Sequence, residues 1–237
     1  MRLTGLVLLG LAVASPAAAQ QGQSAAAGED ETPTRRYVVA AIGDSLTDPR
    51  AGGGKYLLEL GARCPESRFD ALGVGGQQTA HMRHRFERDV LQRHRRPEQR
   101  VQYTHVLVLG GINDLAYGSF RAPTITRTTL HLENMYQRAR ASGLGVIAVT
   151  LPPWGKLRGD FDRRGHATRA LNQWIVAQRE SGAVGHAVDV HPLLSCGDPD
   201  LLCASFRRFA NDLVHWNTRG HAVVADALHR EVFPDCR

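Results

Sequence analysis

From residue 35 onward, short runs of apolar and β-branched residues alternate with longer stretches whose apolar positions recur every three or four residues. Residues 37–42, ended by Gly43, read as a buried strand, and 55–63 as the helix that follows. Residues 69–73 form a weaker strand pattern, and 80–94 a helical one stopped before Pro97. The clearest strand is 105–109, closed by Gly110 and Gly111. A helix over 126–142 ends at Gly143, a strand over 145–150 is cut by Pro152 and Pro153, and a helix over 167–181 precedes a short strand over 187–190. Residues 218–232 supply a final helix. Strands alternating with helices imply a parallel sheet covered on both faces, in one α/β domain over 35–237.

The first 34 residues follow a different pattern. Arg2 precedes an apolar run from Leu6 to Val13, and Ser15 to Ala19 supply the small residues of a cleavage site, so 1–19 read as a secretory signal peptide cut after Ala19. The run is well short of the ~20 apolar residues that span a bilayer. Residues 20–34 are rich in Gln, Ala, Gly, Ser and acids, without periodicity, and read as a flexible linker. A periplasmic or secreted protein is expected, with no stable membrane insertion.

Composition narrows this picture. At 43% hydrophobic and 22% charged, the chain has the balance of a globular protein. Its formal charge of +6 is concentrated between Arg83 and Arg100, a segment with seven Arg, two His and three acids. The interleaved acids favour a solvated helix face with internal ion pairs over a polyanion-binding patch, and no nucleic-acid motif accompanies it. Four cysteines in an exported chain allow three disulfide connectivities. Cys196 and Cys203 flank the turn-rich Gly197-Asp198-Pro199-Asp200, which favours a local bridge. Cys64 with Cys236 would then tie the early helix to the C-terminus. No CxxC pair supports a zinc site.

The polar residues that carry chemistry sit just past the strands, where the functional groups of parallel sheets gather. Gly43-Asp44-Ser45-Leu46-Thr47 offers a serine hydroxyl after the first strand. Val74-Gly75-Gly76-Gln77 offers backbone N–H groups after the second, and Gly111-Ile112-Asn113-Asp114 an amide after the third. Asp212-Leu213-Val214-His215 puts a carboxylate and an imidazole three residues apart before the last helix. A serine hydroxyl becomes a good nucleophile only when a base takes its proton. Histidine suits that task near neutral pH, and a carboxylate fixes its tautomer. Ser45, His215 and Asp212 are therefore the candidate triad. The N–H groups of Ser45 and Gly76, with the Asn113 amide, are candidate oxyanion donors. Trp154 and Trp216 are candidates to line an acyl or sugar site, and Trp216, next to His215, is the favoured one, with plain packing as its alternative.

These four blocks resemble those of the SGNH (GDSL-type) hydrolases, in the same order and spanning residues 43–215. The resemblance implies a flavodoxin-like three-layer α/β/α fold with a five-stranded parallel sheet, and esterase or lipase activity. It assigns the family's four named roles to Ser45, Gly76, Asn113 and His215. One departure stands out: the Asn often found before the second-block glycine is missing from Ala71-Leu72-Gly73. No Gly-x-Ser-x-Gly is present, which argues against the other large α/β esterase fold.

The resulting expectation is a monomeric exported serine esterase, without cofactor or metal, acting on short-chain esters such as O-acetyl groups of carbohydrates. The same triad would serve an acyltransferase or a lysophospholipase-type lipase. Other classes are a metal-assisted phosphoesterase built on Asp44, Asp114, Asp212 and His215, and a non-catalytic envelope-binding module. A histidine base implies hydrolysis that declines below roughly pH 6.5, and a rate flat down to about pH 4 would contradict that role.

Overall fold

A computed structural model describes residues 34–118, 120–155 and 161–236. The expected signal peptide and residues 20–33 of the expected linker lie outside the described residues. Five strands form the main sheet: β1 (Val38–Gly43), β2 (Arg68–Gly73), β3 (His105–Leu109), β4 (Gly145–Val149) and β5 (His186–Val188). All their pairings are parallel, in the order β2-β1-β3-β4-β5.

The period-2 alternation of the strands builds a core on each face. Val39, Ala41, Leu107, Leu109, Ile147 and Val149 point one way, against α1 (Lys55–Arg63) and α7 (Thr218–Val232). Ala40, Ile42, Val106, Val108, Val146 and Ala148 point the other, toward α2 (Thr79–Asp89), α4 (Ala122–Ala141) and α5 (Phe161–Glu180). The result is the three-layer α/β/α sandwich expected from the sequence.

Chain order reverses next to β1, which has β2 on one side and β3 on the other. Loops leaving β1 and β3 therefore diverge from a common point, a natural crevice for a ligand. Gly43 and Leu109, the last residues of these strands, are partners in the ladder. The loops carrying Ser45 and Asn113 thus start side by side.

Several elements differ from their sequence patterns. Helix α2 stops at Asp89 and not at His94, because Gln92 adopts a left-handed φ of 50° and its side chain accepts from Val101 N–H. Helix α4 begins at Ala122, four residues before the expected start, with Pro123 supplying the preset φ of a first turn. Helix α5 likewise begins earlier, and β5 ends at Val188, not Val190. The pattern missed α3 (Ile112–Tyr117) and α6 (His191–Leu194), which are too short to show a helical period. It also missed the hairpin of β6 (Ser195–Cys196) and β7 (Asp198–Leu202).

The basic segment forms the internal ion pairs anticipated for it, including Arg88 with Asp89 and Arg93 with Glu87, and Glu87 also pairs with Arg138 on α4. Arg85 departs from the picture of a solvated face, being only 4% exposed.

Both favoured disulfides are present. Cys196–Cys203 closes the hairpin, with Cα atoms 5.0 Å apart. Cys64–Cys236, with Cα atoms 5.2 Å apart, joins the end of α1 to the C-terminal turn over 172 residues. Among the described residues, Cys64, His229 and Cys236 are the only cluster with metal-like spacing, and its two sulfurs are in this bridge. Replacing both Cys64 and Cys236 by Ala should cost about 2–5 kcal/mol. Calorimetry should show a melting point lower by about 5–15 °C. An unchanged melting point would mean that the bridge contributes nothing.

Candidate active site

The first loop is a tight turn on the end of β1. Asp44 O accepts the N–H groups of Thr47 and Asp48 at 3.1 and 2.9 Å, and its side chain accepts Leu46 N–H at 3.0 Å. Ser45 lies at the bend, 9% exposed. Asp48 links this loop to the next: one carboxylate oxygen accepts Gly75 N–H at 3.0 Å, and the other takes Arg50 N–H at 2.9 Å. Gly73 permits the close approach, because a Cβ there would overlap the backbone of Thr47 and Asp48.

Gly76 follows at φ 74°, a left-handed conformation that glycine adopts without the Cβ penalty. The third loop turns through Gly111 into α3, which presents Asn113. Asn113 Nδ2 donates to Gln77 O at 3.0 Å, fixing the amide against the second loop. Asp114 reaches away from its own loop. Its two oxygens accept Thr79 N–H and Thr79 Oγ at 2.9 and 2.7 Å, 35 residues away.

The fourth segment comes from the far end of the chain. Asp212 Oδ1 accepts the N–H groups of Val214 and His215 at 3.2 and 3.0 Å. The same oxygen lies 2.9 Å from His215 Nδ1, and Oδ2 lies at 3.2 Å. His215 Nε2 is 2.9 Å from Ser45 Oγ. With the Nδ1 proton directed at the carboxylate, Nε2 is left to accept from the serine hydroxyl. Burial pushes the Asp212 carboxyl upward, but the two backbone donors and the imidazole outweigh it and hold the group below its usual range. The carboxylate therefore stays ionised beside the imidazole.

Trp216 anchors this segment from below. It is 1% exposed, packs against Tyr56 and His221, and does not line the cavity, so packing is its observed place. Asn217 then caps α7 through Gly220 N–H at 3.1 Å. Arg208 N–H holds His215 O at 2.9 Å.

Ser45, Gly76, Asn113, Asp212 and His215 all line one open cavity of about 610 Å³. Ile112, Ala116, Trp154 and Val214 give it a largely apolar wall, and Tyr117, 71% exposed, stands on its rim. Trp154 is held by its Nε1 donating to Thr168 Oγ1 at 2.7 Å. The donor set of the metal-assisted reading is divided. Asp114 is engaged with Thr79 and Asp212 with His215, and the four groups form no metal-spaced cluster among the described residues.

Sequence reasoning missed Asp48, Gln77 and Arg85. A signal for Arg85 existed: it shares a face with Met82 and Phe86, so the stripe that must be buried contains an arginine.

A five-stranded parallel sheet with these loops at its carboxyl edge is the architecture of GDSL-type hydrolases, and solved members share it. A GDSL-like lipase from Bacteroides thetaiotaomicron superposes with a TM-score of 0.63 at 18% identity, covering 82% of this chain and 86% of that one. A catalytic mutant of an acetylxylan esterase from Geobacillus stearothermophilus gives 0.62 at 20% identity, covering 87% and 99%. The model of the GDSL-like Lipase/Acylhydrolase family matches residues 41–223, and the chain belongs to that family. No curated protein matches the chain by sequence. Family membership makes ester hydrolysis the class of chemistry. No helix among the described residues is long and apolar enough to cross a membrane.

Asp44, next to Ser45, is fully buried, and its Oδ2 has no hydrogen-bond partner among the described residues. Burial raises its carboxyl to about 7; the Leu46 N–H opposes the rise and the neighbouring Asp114 charge adds to it. Between about pH 4 and 7 the folded chain then holds a proton that the unfolded chain has released, so stability falls as pH rises through that window. A gap from 3.8 to about 7 corresponds to a loss on the order of 4 kcal/mol. Asp44→Asn keeps the acceptor for Leu46 and removes the titration. Urea unfolding at about pH 5 and pH 8 should show the variant gaining on the parent at the higher pH. A constant difference between the two proteins would contradict a buried protonated Asp44.

Proposed function

We propose that this chain is an exported serine esterase acting through a Ser45 acyl-enzyme on short acyl esters, with O-acetyl carbohydrate as the leading substrate class. The observation that carries the reading is the unbroken chain from Asp212 through His215 to Ser45, with both contacts to the imidazole at 2.9 Å. His215 Nε2 takes the hydroxyl proton as Ser45 Oγ attacks the ester carbonyl carbon. The carbonyl electron pair moves to oxygen, where Ser45 N–H, Gly76 N–H and the Asn113 amide receive it. Each donor is worth about 3–4 kcal/mol when aimed at that oxygen. Collapse of the intermediate expels the alcohol, which leaves with the proton returned by His215. Water then repeats the sequence on the acyl-enzyme, releasing the acid and restoring Ser45. No metal or cofactor enters these steps.

The preference for a short acyl group rests on the shape of the site. Its apolar wall is made by few side chains, Ile112, Ala116, Trp154 and Val214, and the cavity of about 610 Å³ is open to solvent, which leaves a bulky alcohol portion such as a sugar free to extend outward. The shared fold with an acetylxylan esterase is consistent with this choice. Two disulfides suit an oxidising compartment, in keeping with export to the periplasm or medium.

Hydrolysis of p-nitrophenyl esters from acetyl to palmitoyl by the parent and Ser45→Ala tests both parts. The variant should lose at least about 10⁴-fold in kcat, and the parent rate should peak at the shortest chains. Asp212→Asn should retain the fold and lose about 10³–10⁴-fold, through the wrong imidazole tautomer. Equal activity in parent and Ser45→Ala would overturn the mechanism; a maximum at long chains would overturn the substrate class.

A further inference from the structure

The three proposed oxyanion donors come from three different loops, and one buried side chain ties those loops together. Arg85, on α2, reaches the carboxyl edge of the sheet with its guanidinium. Its Nη2 donates to Gly43 O at 2.9 Å, two residues before Ser45. Its Nη1 donates to Leu72 O at 2.6 Å, at the end of the strand that leads to Gly76. Its Nε donates to Gln77 Oε1 at 2.6 Å, and the backbone carbonyl of Gln77 holds Asn113 Nδ2. Asp89 balances the charge through Nη1 at 3.0 Å. The first two loops are thus bound directly, and the third through Gln77.

We infer that Arg85 is the positioning residue of the oxyanion hole, setting the spacing of the Ser45, Gly76 and Asn113 donors through Gly43, Leu72 and Gln77. The inference rests on the esterase reading above. The physical reason is geometric. Donors stabilise a developing oxyanion only when aimed at the place it will occupy, and a misplacement of about 1 Å can cost about 10²-fold. A planar fork with several fixed donors can hold two strand ends and a side chain in one register. An ammonium, as a compact point charge, cannot reproduce that fork. Arg85 touches no substrate atom in this scheme; it acts through the loops.

The test is steady-state hydrolysis of p-nitrophenyl acetate by Arg85→Lys, Gln77→Ala, Asn113→Ala and the double variants pairing each of the first two with Asn113→Ala, with thermal melts for all. Asn113→Ala should lower kcat about 10²–10³-fold. Arg85→Lys should lower kcat about 10–100-fold with KM within about 3-fold, the signature of a loss confined to the transition state. Gln77→Ala removes the bond from Arg85 and leaves the residue's carbonyl on Asn113 without that support, and should melt near the parent while lowering kcat about 3–10-fold. Added to Asn113→Ala, Gln77→Ala should cost much less than it does alone, because the donor it positions is already gone, whereas Arg85→Lys should keep most of its cost through the Ser45 and Gly76 donors.

Full additivity of Gln77→Ala with Asn113→Ala would overturn the inference, as would parent-like kcat in Gln77→Ala and in a folded Arg85→Lys. If Arg85→Lys does not fold, the Gln77→Ala cycle decides alone. Retained activity in Ser45→Ala would instead overturn the esterase mechanism itself. Parent-like Arg85→Lys and Gln77→Ala, in a protein that Ser45→Ala and Asn113→Ala do inactivate, would overturn the Arg85 assignment only.

Discussion

The hydrogen bond between Ser45 Oγ and His215 Nε2 joins residues 170 positions apart, and much of the fold can be read as the means of forming it. Ser45 is fixed by a turn clipped to the end of a central strand. His215 arrives on an irregular segment, and such a segment keeps its place only if something heavy holds it. Trp216 in the core, the Asn217 cap on α7 and the backbone bond from Arg208 do so together. The Cys64–Cys236 bridge fastens the chain beyond α7 to the end of α1, the helix that packs beside it. The serine and histidine segments are thus moored to the same layer of the sandwich.

Carboxylates buried near the site serve different ends, and the local donors decide which. Asp212 receives two backbone N–H groups and an imidazole, so its charge is favoured despite burial. Asp44 has one backbone donor and a like charge nearby, and burial prevails. Asp48 and Asp114 are spent on loop-to-loop bonds. Four aspartates within one set of loops therefore supply one electrostatic partner for histidine, one near-neutral carboxyl and two ties.

The sheet was legible chiefly because β1, β3 and β4 are compact apolar runs whose alternate residues meet different helices. The helices at 55–63 and 218–232 were legible because their apolar spacing agrees with their ends, and Asn217 caps the second. What escaped depended on tertiary partners. The end of α2 is set by Gln92 folding back onto Val101, a contact absent from any local pattern. Arg85 sat in a run of arginines that looks solvated, and only its phase with Met82 and Phe86 distinguishes it. The Ser, Asp, His and Asn of the site were readable as types at the ends of elements. Their supports Asp48 and Gln77 were not, since nothing in a sequence says which loop a side chain will touch, and for Trp216 packing was only one of two readings.

The central claim is that Ser45 forms the covalent acyl-enzyme. The most direct measurement is intact mass and peptide mapping after treatment with a p-nitrophenyl alkylphosphonate, which captures an activated serine as a stable adduct. One adduct per chain is expected, on Ser45, formed far more slowly in His215→Ala. An adduct on another residue, or ester hydrolysis that persists at full rate after Ser45 is labelled, would contradict that claim.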